Sequence, residues 1–285
     1  MSVLENPIEI VWPTDWRTPF VFSSPHSGSI YPEEFVESSA LGRTELRQSE
    51  DFLVDELFVD APAYGAPLLR ALFPRSYCDV NREAYELDPH MFRGPLPEYV
   101  TSNGPRVACG IGTIPRIVGA GKEIYRQKLD FDEIHTRIQA CYFPYHYALQ
   151  HLIDEGLKRF GVLYLIDCHS MPPGNNAGAP GGRPDMILGN RYGTSCDGTH
   201  FKSTLRALAS YGYDIGQNAP YAGGFITSYY GNPEKNVHSL QIEINRNLYM
   251  HQKTMTPSVG FERLQQHLGY FIDEITHNDS SLLSA

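Results

Sequence analysis

The stretch VLYLIDCHSMPP, residues 162–173, constrains the fold more than any other part of this chain. Gly161 closes a long helical segment ahead of it, and an unbroken apolar run, Val162 to Ile166, follows at once. A strand without polar alternation has to be covered on both faces, which is the situation of a parallel strand in a helix-flanked sheet. The run then stops on Asp167-Cys168-His169-Ser170 and breaks at Pro172-Pro173. A buried strand thus carries an acid and an imidazole to its carboxyl end, where ligands of open α/β sheets gather.

The flanking pattern agrees. Further strands are expected at 20–24, 66–73, 185–188 and 237–244. Helices are expected at 45–59, with Leu46, Leu53 and Leu57 on one stripe, at 199–210 and at 257–276. Residues 122–160 read as mostly helical, with Ile134, Ile138, Cys141, Tyr145, Leu149 and Leu152 on the apolar face and a kink or boundary near Pro144. Strands alternating with helices predict an α/β fold with a largely parallel, covered sheet. Nothing resembling a linker divides the chain, so a single domain over 1–285 is expected. The loop at 174–184 is glycine-rich, but its spacing matches no phosphate-binding pattern.

Composition narrows the partners. A formal net charge of −10 argues against a nucleic-acid backbone, though small anions respond to the local field of a cleft. MSVLENPIEIVW has neither the basic nor the apolar region of a signal peptide, and no run reaches the roughly 18 apolar residues of a membrane span. The cysteines at 78, 109, 141, 168 and 196 are odd in number and form no CxxC, which suits reduced thiols in a cytoplasmic protein.

Chemistry concentrates at strand ends. His26, in SSPHSG, and His169 each follow an apolar strand, and two imidazoles so placed can converge on one ion with a carboxylate as third ligand. Each could equally be a satisfied core histidine. Ser49-Glu50-Asp51, on the expected first turns of a helix, could supply the carboxylate or merely favour the helix macrodipole. Asp167 shares a strand face with His169 and could orient it from behind, or bind the amides of the next loop. Glu243 sits inside Leu240-Gln241-Ile242-Glu243-Ile244, where a buried carboxylate is costly unless paired. It could act as a general base towards water, or pair with Arg246. Asp79-Val80-Asn81-Arg82 follows a strand and sets a guanidinium beside a carboxamide, a pairing suited to carboxylate capture, although most arginines only solvate a surface. There is no HExxH, and Gly193 to Gly198 has one residue too many for a GxSxG elbow. Cys168 and His169 are adjacent on a strand and point to opposite faces, which disfavours a thiol nucleophile paired with that base.

Seven segments, SSPHSGSIYP, SEDFLVDELF, DVNREAYELDP, IDCHSMPP, PDMILGNRYGTSC, GGFITSYYGNP and VHSLQIEINRNLYM, occur in an order that resembles the N-formylglutamate amidohydrolase family, from about Phe20 to Met250. PYHYAL at 144–149 fits the same pattern. The resemblance implies a mixed, mainly parallel sheet flanked by helices, similar to the zinc carboxypeptidases. It also implies one catalytic Zn2+ held by His26, His169 and Asp51, with Glu50 as the alternative to Asp51. Glu243 would be the general base. Asn81 and Arg82 would hold a carboxylate of a small acidic substrate, helped by Thr227 or the backbone of Gly223-Gly224. The implied reaction is hydrolysis of N-formyl-L-glutamate to L-glutamate and formate, a step in histidine breakdown. His26-Ser27-Gly28-Ser29 lacks the glutamate of the carboxypeptidase HxxE, so the third ligand is expected from a separate helix. Glu243-Ile244-Asn245-Arg246 departs by one residue from a Glu-x-Arg strand, so Arg246 is not carried over. A zinc amidohydrolase for another N-acyl amino acid or short peptide, and a non-catalytic binder of acidic amino acids, are the competing readings.

Overall fold

The computed structural model describes residues 5–119, 121–174 and 182–280; most of the glycine-rich loop read at 174–184 lies outside them. The strands, in chain order, are β1 (Ile8–Val11), β2 (Phe20–Ser24), β3 (Leu68–Ala71), β4 (Ile117–Val118), β5 (Lys122–Glu123), β6 (Leu163–Met171), β7 (Met186–Gly189), β8 (Ile215–Gln217), β9 (Val237–Asn245), β10 (Met250–His251) and β11 (Thr256–Pro257). The helices are α1 (Glu33–Ser38), α2 (Arg43–Leu46), α3 (Val54–Leu57), α4 (Pro105–Ala108), α5 (Phe131–Arg137), α6 (Phe143–Phe160), α7 (Gly198–Ser210), α8 (Phe225–Tyr230) and α9 (Phe261–Ser280).

Seven strands form the main sheet in the order β1-β3-β2-β6-β9-β7-β8. The pairs β2–β6, β6–β9 and β7–β8 are parallel, whereas β7 runs antiparallel to β9. The sheet is therefore mixed and mainly parallel, as expected. β6 runs four residues past Asp167, so the acid and the imidazole belong to the strand itself rather than to the loop beyond it.

The chain divides into two compact units, Met1–Glu9, Pro25–Glu50 and Arg70–Ala148 in the first, and Ile10–Ser24, Asp51–Leu69 and Leu149–Ala285 in the second. The second unit owns the large core. One face of β6 and β9 sends Ile166, Cys168, Leu240, Ile242 and Ile244 into it, together with Phe20, Phe22 and Leu188 of neighbouring strands. α9 adds Leu264, Leu268, Phe271, Ile272 and Ile275, the stripe of an amphipathic helix. In the first unit Arg137, buried, sits over the Tyr77 ring with Cζ 4.1 Å from its centroid and pairs with Glu133 at 2.8 Å.

Two expectations need correction. Residues 45–59 are not one helix: α2 ends at Leu46, a 3₁₀ turn covers Arg47–Ser49, and Leu53 adopts φ +54° before α3 begins. The left-handed residue breaks the helix that the leucine spacing suggested, so Glu50 and Asp51 lie between helices rather than on a first turn. Helix does not begin at Lys122, which pairs in β5 with β4; it begins at Phe131. The predicted apolar face holds, since Ile134, Ile138, Cys141, Tyr145, Leu149 and Leu152 are all buried. A π-turn at Ile138–Tyr142 occupies the stretch just before Pro144, whose ring clashes with the carbonyl four residues back and which has no N–H to donate. Gly161, at φ +75°, ends α6 as read.

Candidate active site

In the second unit, strand parity sorts the chemistry. Asp167 and His169 of β6 stand opposite Gln241 and Glu243 of β9 in the parallel register. Opposed residues share a sheet face, so these polar groups gather on one face while Cys168 and Ile242 go to the core. The thiol is fully buried, and burial followed by the Asp167 charge raises its pKa well above the ordinary value.

His169 is gripped at both nitrogens. Asp51 Oδ2 lies 3.0 Å from Nδ1, and Asp167 Oδ2 lies 2.9 Å from Nε2. Ser23 Oγ donates to the other Asp167 oxygen at 3.3 Å. Burial by itself would lower the pKa of the imidazole, but Asp167, Asp51 and Glu243 together raise it well above the ordinary histidine value. Arg246, which the sequence reading did not carry over, enters here. Its Nη2 pairs with Asp51 Oδ1 at 3.1 Å and its Nε donates to Ser170 Oγ at 3.1 Å, while Ser170 Oγ also donates to Asp51 Oδ1.

Glu243 is buried among apolar strand neighbours, with Ile187 of β7 opposite it. Gln241 Nε2 donates to Glu243 Oε1 at 2.8 Å, and Gln241 Oε1 accepts from the Gly224 amide at 2.7 Å. One carboxamide thus ties the carboxylate to the loop that starts α8. Two-residue spacing on a strand already puts Gln241 on the face of Glu243, a signal the sequence reading left unused. Thr227, on α8, is fully buried, and its Oγ1 has no hydrogen-bond partner among the described residues.

In the first unit, Asp79 is the hub. Its Oδ1 is 2.8 Å from His26 Nε2, and its Oδ2 pairs with Arg75 Nε at 2.9 Å and Arg82 Nη2 at 3.3 Å. Its Oδ1 also accepts from the Asn81 amide, which fixes the turn carrying Asn81 and Arg82. Arg82 donates through Nε to Ile111 O and through Nη1 to Asn81 O, both at 2.7 Å. Burial brings its pKa down to about 10, against the pull of Asp79. Burial would raise the Asp79 pKa, yet Arg75, Arg82 and His26 hold it well below the usual carboxylate range. Nothing local in Asp79-Val80-Asn81-Arg82 marks Asp79 for this role, because His26 reaches it from a distant segment. Glu50 belongs to the first unit, where Tyr31 OH donates to it at 2.7 Å and Arg47 Nε at 3.1 Å. Consecutive acids therefore serve different environments: Glu50 a tyrosine and an arginine, Asp51 the imidazole of His169.

The two imidazoles are held alike. Each has an aspartate on Nε2, which fixes the Nε2–H tautomer of a neutral ring and puts the lone pair on Nδ1. A carboxylate behind a histidine is the usual support of a metal ligand.

The N-formylglutamate amidohydrolase family model matches residues 18–250. An N-formylglutamate deformylase of Pseudomonas aeruginosa is 27% identical over 241 residues, covering 83% of this chain and 84% of the relative. The crystal structure of N-formylglutamate amidohydrolase from Ralstonia eutropha JMP134 superposes with a TM-score of 0.89 at 36% identity, over 95% of this chain and 98% of that one. The gene product Atu2144 from Agrobacterium tumefaciens, at 16% identity and a TM-score of 0.67 over 98% and 96% of the two chains, shares the fold. A likeness that spans nearly the whole chain and takes in every segment of the motif series places this protein: it belongs to the N-formylglutamate amidohydrolase family.

Proposed function

We propose that this protein hydrolyses N-formyl-L-glutamate to L-glutamate and formate, with Zn2+ held by His26, Asp51 and His169. The observation that carries the reading is the shared arrangement of the two imidazoles, each backed by an aspartate on Nε2. The donor set suits the ion. Asp51, Asp167 and Glu243 crowd negative charge around His169, and in the absence of a cation that charge can only raise the affinity of the ring for a proton. A divalent cation would satisfy the same field with the imidazole neutral.

When bound, Zn2+ supplies Lewis acidity towards the formyl carbonyl and eases ionisation of water. Glu243 takes the proton of the attacking water and returns it to the departing amine nitrogen. Gln241 holds that carboxylate in place from one oxygen. Asn81 and the N–H groups that Arg82 has left after its protein bonds take the substrate carboxylate, with Gly224 and Thr227 contributing from α8. The fixed fork of Arg82 is a reason to expect a planar carboxylate rather than a neutral group there.

Formate release from N-formyl-L-glutamate, measured on protein as isolated, after chelation and after Zn2+ is restored, tests the reading. Turnover that disappears with chelator and returns with Zn2+ is expected. Turnover indifferent to chelator would overturn the metal assignment. Faster release from another N-acyl amino acid would reassign the substrate, and zinc binding without turnover on any substrate would favour a binding protein.

A further inference from the structure

A second group of side chains of the types that ligate metals lies in the second unit at the opposite end of β9. Cys196, Asp197 and His238 each offer a ligand atom, and these atoms all lie within 4.8 Å of one another. His238 is the second residue of β9 and Glu243 the seventh, so about 17 Å of strand separates this cluster from the catalytic face. The local fold prepares it. Ser195 and Ser239 lace the segment before α7 to β9, with Ser239 N donating to Ser195 O at 2.7 Å and Ser195 Oγ to Ser239 O at 2.9 Å. Cys196 is fully buried, His238 nearly so, and the His238 ring stacks on Tyr164 at 5.1 Å.

Asp197 divides its labour. Oδ1 caps α7 by accepting from Thr199 N at 2.8 Å and His200 N at 2.9 Å. Oδ2 faces His238 Nδ1 at 3.2 Å. The Asp197 amide also points at that Nδ1 from 3.3 Å, and Cys196 Sγ donates to Asp197 O at 3.5 Å, so thiol, carboxylate and ring meet around one short stretch of backbone. A proton on Nδ1 or a divalent cation beside it satisfies that contact, and only the cation would also draw in the sulfur. Cys196 Sγ adds a third donor, and as thiolate it brings the set to two negative charges. A thiolate beside an imidazole and a carboxylate selects a thiophilic divalent ion over Mg2+ or Ca2+.

We propose that Cys196, Asp197 and His238 form a second, structural site for a thiophilic divalent cation such as Zn2+, which fastens the start of α7 to the start of β9. Binding displaces the thiol proton to solvent and needs no redox partner.

Co2+ titration of the metal-free full-length protein tests this separately from the catalytic assignment, because His26, Asp51 and His169 hold no sulfur. A thiolate-to-cobalt charge-transfer band in the near ultraviolet is expected in the wild type and in Cys168→Ala. It should vanish in Cys196→Ala and weaken in Asp197→Asn, whose side-chain oxygen still caps the helix. No band in the wild type, a band that survives Cys196→Ala, or one that disappears in Cys168→Ala would overturn the proposal. If Cys196→Ala fails to fold, Asp197→Asn decides, and an unchanged titration there overturns it as well.

Discussion

Two aspartates fix the tautomers of two histidines, and each does so at a different cost. Asp167 is supported by Ser23, a neutral donor, whereas Asp79 is shared among His26, Arg75 and Arg82. Asp79→Asn would therefore leave Arg82 buried without its counter-charge. A loss of about 3–5 kcal/mol is expected in urea unfolding at pH 7, along with a 10–100-fold weaker Zn2+ affinity. The pH dependence has a definite sign. The folded pKa of Asp79 lies below its unfolded value, so its contribution is complete above about pH 4 and fades as acid titrates the folded carboxylate. The gap in urea midpoint between wild type and Asp79→Asn should thus shrink from pH 5 to pH 3; a constant gap would refute the ion-pair account. Glu243→Gln keeps the shape and the Gln241 contact but removes the proposed base. A fall in kcat of about a hundredfold or more is expected with Zn2+ binding retained, and unchanged turnover would remove Glu243 from the chemistry. Cys168 offers a third check. Its thiol is buried with a raised pKa, so iodoacetamide at pH 8 should leave both Cys168 and formate release untouched.

At the level of elements, what the sequence disclosed depended on how local the determinant was. The strand from Leu163 and the stripe from Ile134 to Leu152 were legible because periodicity and burial coincide over many residues. The break at 47–53 was not, because a single left-handed Leu53 set by its surroundings overrides a helical pattern of leucines. His26, His169, Asp51 and Glu243 were legible as chemical types in a motif series, and the parity of β6 already separated His169 from Cys168. The pairings of Asp79 with His26 and of Gln241 with the Gly224 amide join distant segments, which no local pattern encodes. Glycine explains how close two elements come. A Cβ on Gly189, at the end of β7, would lie 2.6 Å from the Ala222 carbonyl carbon and 2.9 Å from Gly223 N. Gly189→Ala must push the 222–224 segment away from β7, costing about 1–3 kcal/mol of stability. If Gly224 and Thr227 line the substrate, KM for N-formyl-L-glutamate should rise more than kcat falls; an unaltered KM would detach that loop from binding.

For the whole molecule, metal and fold are linked through mass action. A ligand that binds only the native state adds about 4 kcal/mol when present at a thousandfold excess over its Kd. Zn2+ should therefore raise the thermal midpoint of the chelated protein by several degrees, and Glu243→Gln should retain that shift. His169→Ala should lose the part of it that the proposed catalytic site supplies. A midpoint that ignores Zn2+ in the wild type would leave both proposed cation sites without support. The net charge of −10 is compatible with an anionic substrate because the field that matters is local, and Arg75 and Arg82 flank the Asn81 turn.

The alternation of β6 and β9 has one more effect. If β6 slipped by one residue against β9 during folding, Asp167 and His169 would trade places with Cys168, driving ionised groups into the hydrocarbon core. Misalignment is punished by the polar side chains of the candidate site, so these groups also specify the register of the sheet.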